Sequence, residues 1–157
     1  MDITLHPIAF VKNSRLQATD DYWGDIISEI TLVDEFSEEA YKGIEDYSHL
    51  EIVFYFDKAD ESKTNRSSRH PRDNKSWPLT GVFAHRGKDR PNHLGLTFVK
   101  LIRREGRRLF VSGLDAINGT PVLDIKPVMK GFLPKEEVRE PAWANELMEH
   151  YWKKKEN

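Results

Sequence analysis

The chain has 157 residues, of which 38% are hydrophobic and 32% charged, and its formal net charge is −2. This length and composition suit one soluble globular domain with at most a small appendage. The absence of cysteine excludes disulfides, thiol nucleophiles, iron–sulfur clusters and thiolate zinc sites.

The N-terminal third carries strand patterns and no targeting signal. The first ten residues, MDITLHPIAF, lack the basic start and long apolar core of a signal peptide, and no apolar run reaches the length of a membrane span. We therefore expect a cytoplasmic protein with no membrane partner. Residues 3–11 are extended and apolar, and Pro7 favours an edge or a bulge there. Residues 25–33 are typical of a half-buried strand, and residues 50–57 of a central, buried one.

Two helices are expected. Residues 37–47 begin with Ser37 as a possible cap and carry two Glu in the first turn, where the helix dipole favours them. Residues 141–155 begin with Pro141, a good first helical residue. The second helix places an aromatic and apolar stripe on one face: Trp143, Leu147, Met148, Tyr151 and Trp152. This stripe is more typical of a docking face, on the sheet or on a partner chain, than of a cofactor site.

Residues 60–80 form a long polar loop without an apolar period, and long loops in compact domains are often functional or mobile. Four strand patterns follow, over residues 81–84, 94–102, 108–114 and 120–128. The links RREGR and DAING between the last three are short enough for hairpin turns.

Strands joined by hairpin-sized links predict a mainly β fold, with a single antiparallel sheet curled into a small barrel, a short helix and a C-terminal helix. We expect a barrel domain over residues 1–130 and an extension with a helix over residues 131–157. Alternating βαβ units and the glycine-rich nucleotide-binding motifs are absent, which disfavours a Rossmann fold.

Charge is distributed unevenly along the chain. Residues 1–59 carry 4 Lys and Arg against 13 Asp and Glu, whereas residues 60–108 carry 13 against 5. Such a basic block can serve phosphate recognition through counterion release. The alternative is a charged surface that pairs with the acidic first third.

The stretch GVFAHRGKDRPNHLGL, residues 81–96, places two arginines and two histidines between apolar runs. Arg86 and Arg90 lie four apart across a predicted turn, and guanidinium groups grip carboxylates or phosphates through paired hydrogen bonds. His85 and His93 could donate, accept or stack, but they are weak metal candidates because no third ligand lies at a familiar spacing. The stretch is either a solvated surface turn or an anion site.

A second stretch, residues 112–127, reads SGLDAINGTPVLDIKP. A tight turn is expected around Asn118 and Gly119, and Asp124 and Lys126 would share one face of a strand. Residues alone favour a hairpin with an ion pair. A functional turn would instead offer backbone N–H and C=O groups to a ligand.

Together these two stretches closely resemble the signature of the TrmO-type (TsaA-like, YaeB-like) S-adenosylmethionine-dependent tRNA methyltransferases. That pattern runs approximately G-[VI]-F-A-[TS]-R-x-x-x-R-P-N-P-[IL]-G-L, then L-D-x-x-D-G-T-P-[VIL]-x-D-I-K-P. HPIAFVKNS and KGIEDYSHLEIVFYFD match in the same order, so the resemblance covers residues 5–128. We interpret the chain as a short form without the C-terminal domain of longer bacterial members.

The resemblance implies a β-barrel homodimer that binds S-adenosylmethionine and methylates N6 of a threonylcarbamoyl-modified adenosine next to the tRNA anticodon. We expect no metal site. Residues 21–25 would line the site by position only, because the family's Arg-Gln element is missing there. The substrate contacts carried over are Arg90, Asn92 and His93, with Pro91 between them. The cofactor contacts carried over by motif are Asp57, Lys58, Arg86, Leu96, Asn118, Gly119, Thr120 and Pro121.

Three positions depart from the family pattern: His85 replaces Thr or Ser, His93 replaces Pro, and Asn118 replaces Asp. Our hypothesis makes Asp57 or His85 the catalytic base, with Arg86 and Arg90 holding a substrate carboxylate or phosphate. Asp57 could instead only bind the cofactor's ribose or amino group.

Three other functions remain open at this point. One is a methyltransferase of the same fold that acts on another RNA or on a small metabolite. Another is a non-catalytic RNA-binding barrel, because small β-barrels commonly present aromatic and basic residues to nucleic acid. The last is an assembly role through the helix near residues 141–152.

Overall fold

A computed structural model describes residues 1–155 and shows six strands closed into an antiparallel barrel, which confirms the predicted fold class. The order around the barrel is β1-β2-β7-β6-β3-β8, and β4 and β5 form a separate two-stranded sheet. The element bounds are β1 Ala9–Lys12, β2 Ile27–Leu32, β3 His49–Tyr55, β4 Ser68–Arg69, β5 Thr80–Gly81, β6 Leu94–Glu105, β7 Arg108–Ser112, β8 Pro121–Pro127 and α1 Ala142–Met148.

Alternating side chains build the core. On β6, Gly95, Thr97 and Val99 point inward and are buried, while the residues between them face outward. Gly95 is required for close packing, because a Cβ there would lie 2.4 Å from the Phe54 ring. The barrel interior is filled by apolar side chains from each of the six barrel strands: Ala9, Val11, Ile30, Leu32, Leu50, Ile52, Phe54, Val99, Leu109, Val111 and Val122.

Four elements differ from the sequence prediction. The strand expected over residues 3–11 pairs only from Ala9 onward, so residues 3–8 are not part of the sheet. Residues 37–47 form two short 3-10 helices, Glu38–Tyr41 and Ile44–Asp46, because Gly43 between them adopts φ +84 and Ser37 makes no side-chain cap bond. Only Thr80 and Gly81 pair as a strand, and Val82–Ala84 is a 3-10 turn. The C-terminal helix α1 ends at Met148, earlier than expected.

One of the two expected hairpins is present. Glu105 pairs with Arg108, so the RREGR link is a tight turn with Gly106 at φ +58. The DAING link is not a hairpin: β7 pairs with β2 and β6, whereas β8 pairs with β1 and β3. Residues 113–120 instead cross one end of the barrel from β7 to β8. Periodicity predicts strands but not their neighbours, which explains the error.

The crossing segment lies at the end of the barrel that we call the upper mouth. Here β1, β3 and β7 end, and β2, β6 and β8 begin, because neighbouring strands run antiparallel. Residues 34–48, between β2 and β3, lie at the opposite end. The upper mouth also receives the long connections that leave β1 and β3.

The polar loop over residues 60–80 is ordered by local bonds. It contains short 3-10 turns and β4, and the His70 Nδ1 lies 2.7 Å from the Trp77 carbonyl oxygen. An Arg72–Asp21 ion pair of 2.8 Å joins it to the connection between β1 and β2.

The chain after β8 returns to the barrel. Backbone N–H groups of Tyr22 and Trp23 donate to the carbonyls of His150 and Tyr151. A domain boundary at residue 130 stays a prediction. Within residues 1–155, no helix has the length and apolarity needed to cross a bilayer.

Candidate functional site at the upper mouth

Strand order brings the residues singled out in the sequence to one end of the barrel. Asp57 and Lys58 directly follow β3, Leu96 lies near the start of β6, and Thr120 and Pro121 lie at the start of β8. Because β3 lies between β6 and β8, these three segments are spatial neighbours at the upper mouth. The sequence motifs, up to 64 residues apart in the chain, thus meet at a single rim.

The crossing segment is fixed to the barrel by several anchors. Asn13 Nδ2 donates to Ser28 Oγ and to the Ala116 carbonyl, each at 2.9 Å. The N–H of Asn118 donates to the carbonyl of Arg15 at 2.8 Å. Thr97, which is buried, donates its hydroxyl to Asp115 Oδ1. The turn therefore has a defined position before any ligand binds.

Its backbone donors are already used. The N–H groups of Asn118, Gly119 and Thr120 donate to the carbonyls of Arg15, Val11 and Ile117. Gly119 adopts φ +86, a conformation that side chains rarely tolerate. Asn118 and Gly119 are exposed and Thr120 is buried. The turn therefore presents carbonyl oxygens to a ligand, whereas Oδ1 of Asn118 already accepts from the N–H of Asn13.

Two arginines tie the loop over residues 85–93 together. Arg86 is exposed, and its Nη2 donates to the carbonyl of Leu96. Arg90 Nη1 donates to the carbonyl of His85 at 2.8 Å, which closes the loop on itself. Asn92 adopts φ +63, a left-handed conformation that asparagine tolerates better than most residues. Arg86 therefore has donors to spare at the surface, whereas Arg90 has a structural bond.

The two histidines have different surroundings. His93 is 7% exposed, its Nε2 lies 2.9 Å from Thr64 Oγ1, and its ring meets Tyr55 edge to face. It holds loops together, and its assignment to the substrate stays a prediction. His85 is half-buried, with Nε2 at 2.6 Å from Thr80 Oγ1 and 3.1 Å from the Thr80 carbonyl. Nε2 is therefore engaged by Thr80, and among residues 1–155 Nδ1 is the ring nitrogen left for a ligand.

Asp57 and Lys58 form an ion pair of 3.3 Å at the end of β3. The Asp57 side chain is 27% exposed and that of Lys58 is 74% exposed, so the carboxylate is the more enclosed of the two. The backbone N–H of Asp57 bonds the Tyr55 carbonyl, which turns the chain away from the strand.

Sequence reasoning missed several residues that shape the mouth. Arg15 lies 4.3 Å above the Trp23 ring and donates to the Asp21 and Tyr22 carbonyls. Asn13 stands inside the matching stretch HPIAFVKNS, which was the available signal. Tyr151 donates to Asp115 Oδ2 at 2.5 Å; the sequence placed Tyr151 in a docking stripe but gave it no role at the mouth.

Part of the basic block pairs with acidic residues of the first third. Arg72 bonds Asp21, Arg104 lies 3.4 Å from Glu45, Arg107 bonds Asp34, and Arg108 lies 3.7 Å from Glu29. The pairing alternative therefore accounts for four of the thirteen basic residues of the block. Among residues 1–155, the exposed basic side chains of the block without an ion pair are Arg66, Lys75, Arg86 and Lys100.

No group of three or more His, Asp or Glu side chains in the described part of the chain comes close enough to hold a metal ion.

Comparison with protein families identifies the barrel region. The family model for the tRNA-methyltransferase O N-terminal domain matches residues 16–132. Two solved structures share the fold: one described as a crystal structure of TrmO has a TM-score of 0.72 at 29% identity, covering 89% of this chain and 64% of that one. A crystal structure of TrmO from Pseudomonas aeruginosa has a TM-score of 0.70 at 29% identity, covering 88% and 62%.

Curated relatives include proteins named as methyltransferases and as S-adenosyl-L-methionine-binding proteins. The human tRNA (adenine(37)-N6)-methyltransferase is 41% identical over 104 residues, which are 66% of this chain and 23% of that protein. A putative S-adenosylmethionine-dependent methyltransferase RcsF of Pseudomonas aeruginosa is 45% identical over 57% of this chain and 37% of that protein. An S-adenosyl-L-methionine-binding protein of Archaeoglobus fulgidus is 34% identical over 78% of this chain and 86% of its own length. The chain thus spans about a quarter of the human relative.

Proposed function

The chain belongs to the tRNA-methyltransferase O family, and on this premise we propose that it transfers a methyl group from S-adenosylmethionine to N6 of a threonylcarbamoyl-modified adenosine next to a tRNA anticodon, in the cytoplasm. The observation that carries the proposal is the meeting of the family motifs at one mouth of the barrel. The human relative of this chain is named for methylation of adenine 37 in tRNA, and another relative for binding the donor.

The groups at the upper mouth fit the methyl donor chemically. S-adenosylmethionine carries a positive sulfonium, a positive ammonium and a carboxylate. The carbonyls of the 118–119 turn and the Asp57 carboxylate are acceptors that suit the positive groups, whereas the exposed Arg86 suits the carboxylate. Lys58, Leu96, Thr120 and Pro121 complete the proposed donor site. When bound, the donor supplies an electrophilic methyl carbon.

The chain's own residues must then orient the acceptor and handle one proton. An exocyclic adenine nitrogen is a poor nucleophile, but a carbamoyl substituent makes its N–H more acidic. A base close to that N–H would expose the lone pair for in-line attack. We assign this role to His85, through Nδ1, or to Asp57. Arg90, Asn92 and His93 belong to the loop that we place around the acceptor.

Contact with tRNA needs cationic groups that are not already neutralised. Arg66 and Lys75 are exposed and basic, and neither has an ion pair within the described residues. Each phosphate contact should steepen the fall of log K with log salt by about 0.7 to 0.9. Binding of tRNA that does not change with salt would contradict this surface.

We also propose a homodimer, supported by an apolar outer row on β6. Leu94, Leu96 and Phe98 are 38%, 40% and 51% exposed, and Phe83 nearby in sequence is 81% exposed. Large exposed apolar patches are typical of association surfaces. Light scattering of wild-type protein and of Phe98→Glu tests this: a dimer should become a monomer.

The deciding experiment combines calorimetry with a transfer assay. The wild-type chain should bind S-adenosylmethionine and label total tRNA from labelled donor, with the label on a modified adenosine. Binding without labelling of tRNA, but with labelling of small-molecule extracts, would favour another acceptor. No heat with the donor but binding of RNA would identify a non-catalytic RNA-binding barrel. A dimer that binds neither would leave the assembly role.

A further inference from the structure

The C-terminal segment over residues 142–153, which we call the strap, lies against the rim of the upper mouth. Its carbonyl groups at His150 and Tyr151 accept the N–H groups of Tyr22 and Trp23 at 3.1 and 2.8 Å. Gly24 permits this contact, because a Cβ there would lie 1.8 Å from the Trp152 carbonyl oxygen. The strap is thus fitted to the connection between β1 and β2.

The other end of the strap contacts the connection between β3 and β6. Trp77 Nε1 donates to Glu146 Oε2 at 2.7 Å, and the Trp77 and Trp143 ring centroids lie 6.5 Å apart. The Trp143 ring also lies 6.0 Å from that of His85, one of the two proposed bases. The strap therefore spans the two loops that rise on either side of the crossing segment.

Between these ends the strap reaches the crossing segment itself. Tyr151 donates its hydroxyl to Asp115 Oδ2 at 2.5 Å, while Thr97 donates to the other oxygen of the same carboxylate. One donor comes from the barrel interior and the other from the strap. Two hydroxyl donors on one carboxylate fix its orientation, and with it the backbone that leads to Asn118.

The Tyr151 hydroxyl is suited to a permanent structural bond. Burial, with the Asp115 charge beside it, raises the pKa of Tyr151 well above its usual range. The hydroxyl therefore stays protonated and remains a donor under all working conditions. The matched family region ends at residue 132, so this contact comes from outside it.

We propose that Tyr151 is a positioning residue of the methyl-donor site: acting through Asp115, it holds the turn over residues 116–120 in the geometry that binds the donor. The proposal rests on the proposed function, since it names a further residue of the same site. On this proposal the strap contributes to donor binding as well as to packing.

The test compares two Tyr→Phe variants that each remove one half-buried or buried hydroxyl. Tyr151→Phe should raise the Kd and the KM for S-adenosylmethionine about tenfold, the order expected for a lost hydrogen bond to a charged group, and change kcat at saturating donor less than twofold. Tyr41→Phe is the matched control: its buried hydroxyl has no partner within residues 1–155, and it lies in the connection at the opposite end of the barrel. It should leave the donor Kd unchanged.

A double-mutant cycle separates positioning from general packing. If Tyr151 acts through Asp115, Tyr151→Phe should add less than twofold to the Kd of Asp115→Asn. Independent, multiplying effects would overturn the proposal. So would a wild-type Kd in Tyr151→Phe, or equal changes in Tyr151→Phe and Tyr41→Phe.

A ligand-free measurement keeps this test distinct from the proposed function. Amide hydrogen exchange at Asn118, Gly119 and Thr120 should be faster in Tyr151→Phe than in wild type, without any donor present. If wild type binds no donor but exchange still accelerates, the proposed function fails and the positioning of the turn stands. If exchange is unchanged, the positioning role fails whether or not the donor binds.

Discussion

The backbone N–H of Asn13, the residue that follows β1, donates to Oδ1 of Asn118 at 3.1 Å. Asn118 is one of the three positions that depart from the family pattern. This bond requires an acceptor at position 118, which Asp supplies as well as Asn. Asn118 is also exposed, so its side chain can be reached by a ligand.

Asn118→Asp should therefore preserve the turn and tighten donor binding. A carboxylate keeps the Asn13 bond and adds a negative charge where we place a positively charged ligand. We expect the Kd for S-adenosylmethionine to fall several-fold, measured by calorimetry at low salt. Asn118→Ala, which loses the acceptor, should move the Kd in the opposite direction. Weaker binding by the Asp variant would place the positive groups of the donor elsewhere.

Replacing each of the two proposed bases in turn should give two distinct kinetic patterns. Asp57→Asn should raise the donor Kd with little loss of kcat at saturation, because the carboxylate is paired with Lys58 and suits a positive ligand group. His85→Gln should lower kcat about a hundredfold, the order of a lost general base, with a small change in donor Kd. Steady-state kinetics at saturating donor decide. If kcat fell strongly in Asp57→Asn but not in His85→Gln, Asp57 would be the base.

The free energy of unfolding should fall at acid pH because Asp89, in the loop that carries Arg86 and Arg90, loses its charge. Partial burial raises the pKa of Asp89, but hydrogen bonds from Lys88 and Arg69, together with their charges, outweigh it and hold that pKa below its usual range. A carboxyl with a lowered folded pKa stabilises the fold above its unfolded pKa of about 4, and this contribution is lost as pH falls through the folded value.

Urea unfolding between pH 7 and pH 3 measures this effect. Asp89→Asn should lower the free energy of unfolding by about 1.5–3 kcal/mol at pH 7, the range of a hydrogen bond to a charged group. Its stability should then change less with pH than that of wild type below pH 4. Parallel curves for the two proteins would show that other carboxyl groups cause the acid loss.

Gly24→Ala should detach the strap from the rim. The added Cβ would meet the Trp152 carbonyl, a backbone atom that cannot move aside without displacing the strap. We expect a loss of about 1–3 kcal/mol, as for other overpacked sites, and a change in tryptophan fluorescence. Gly131→Ala is the matched control, since no atom lies within 4 Å of its added Cβ. Equal behaviour of the two variants would show that the strap is not docked at Gly24.

The barrel itself was predictable from residue patterns. The alternation in β2 and β6 and the aromatic run of β3 each mark strands with one face inward, and periodicity is a local property. Errors occurred where backbone geometry decides: Gly43 divides the expected helix over residues 37–47, and the turn at Val82–Ala84 replaces a strand. Local pattern does not encode such breaks strongly.

For the candidate site, too, some features follow from local sequence and others only from the fold. The sequence by itself determined the class of the protein, because linked motifs such as GVFAHRGKDRPNHLGL and NGTPVLDIKP are local strings, and it determined the mainly β fold. Only the tertiary structure decided that residues 113–120 cross the mouth and that Tyr151 reaches Asp115. It also decided that acidic residues of the first third neutralise Arg72, Arg104 and Arg107. These facts depend on which strands become neighbours and on which side chains meet across long separations. Both are set by closure of the barrel and the packing of its core, which no short stretch of residues contains.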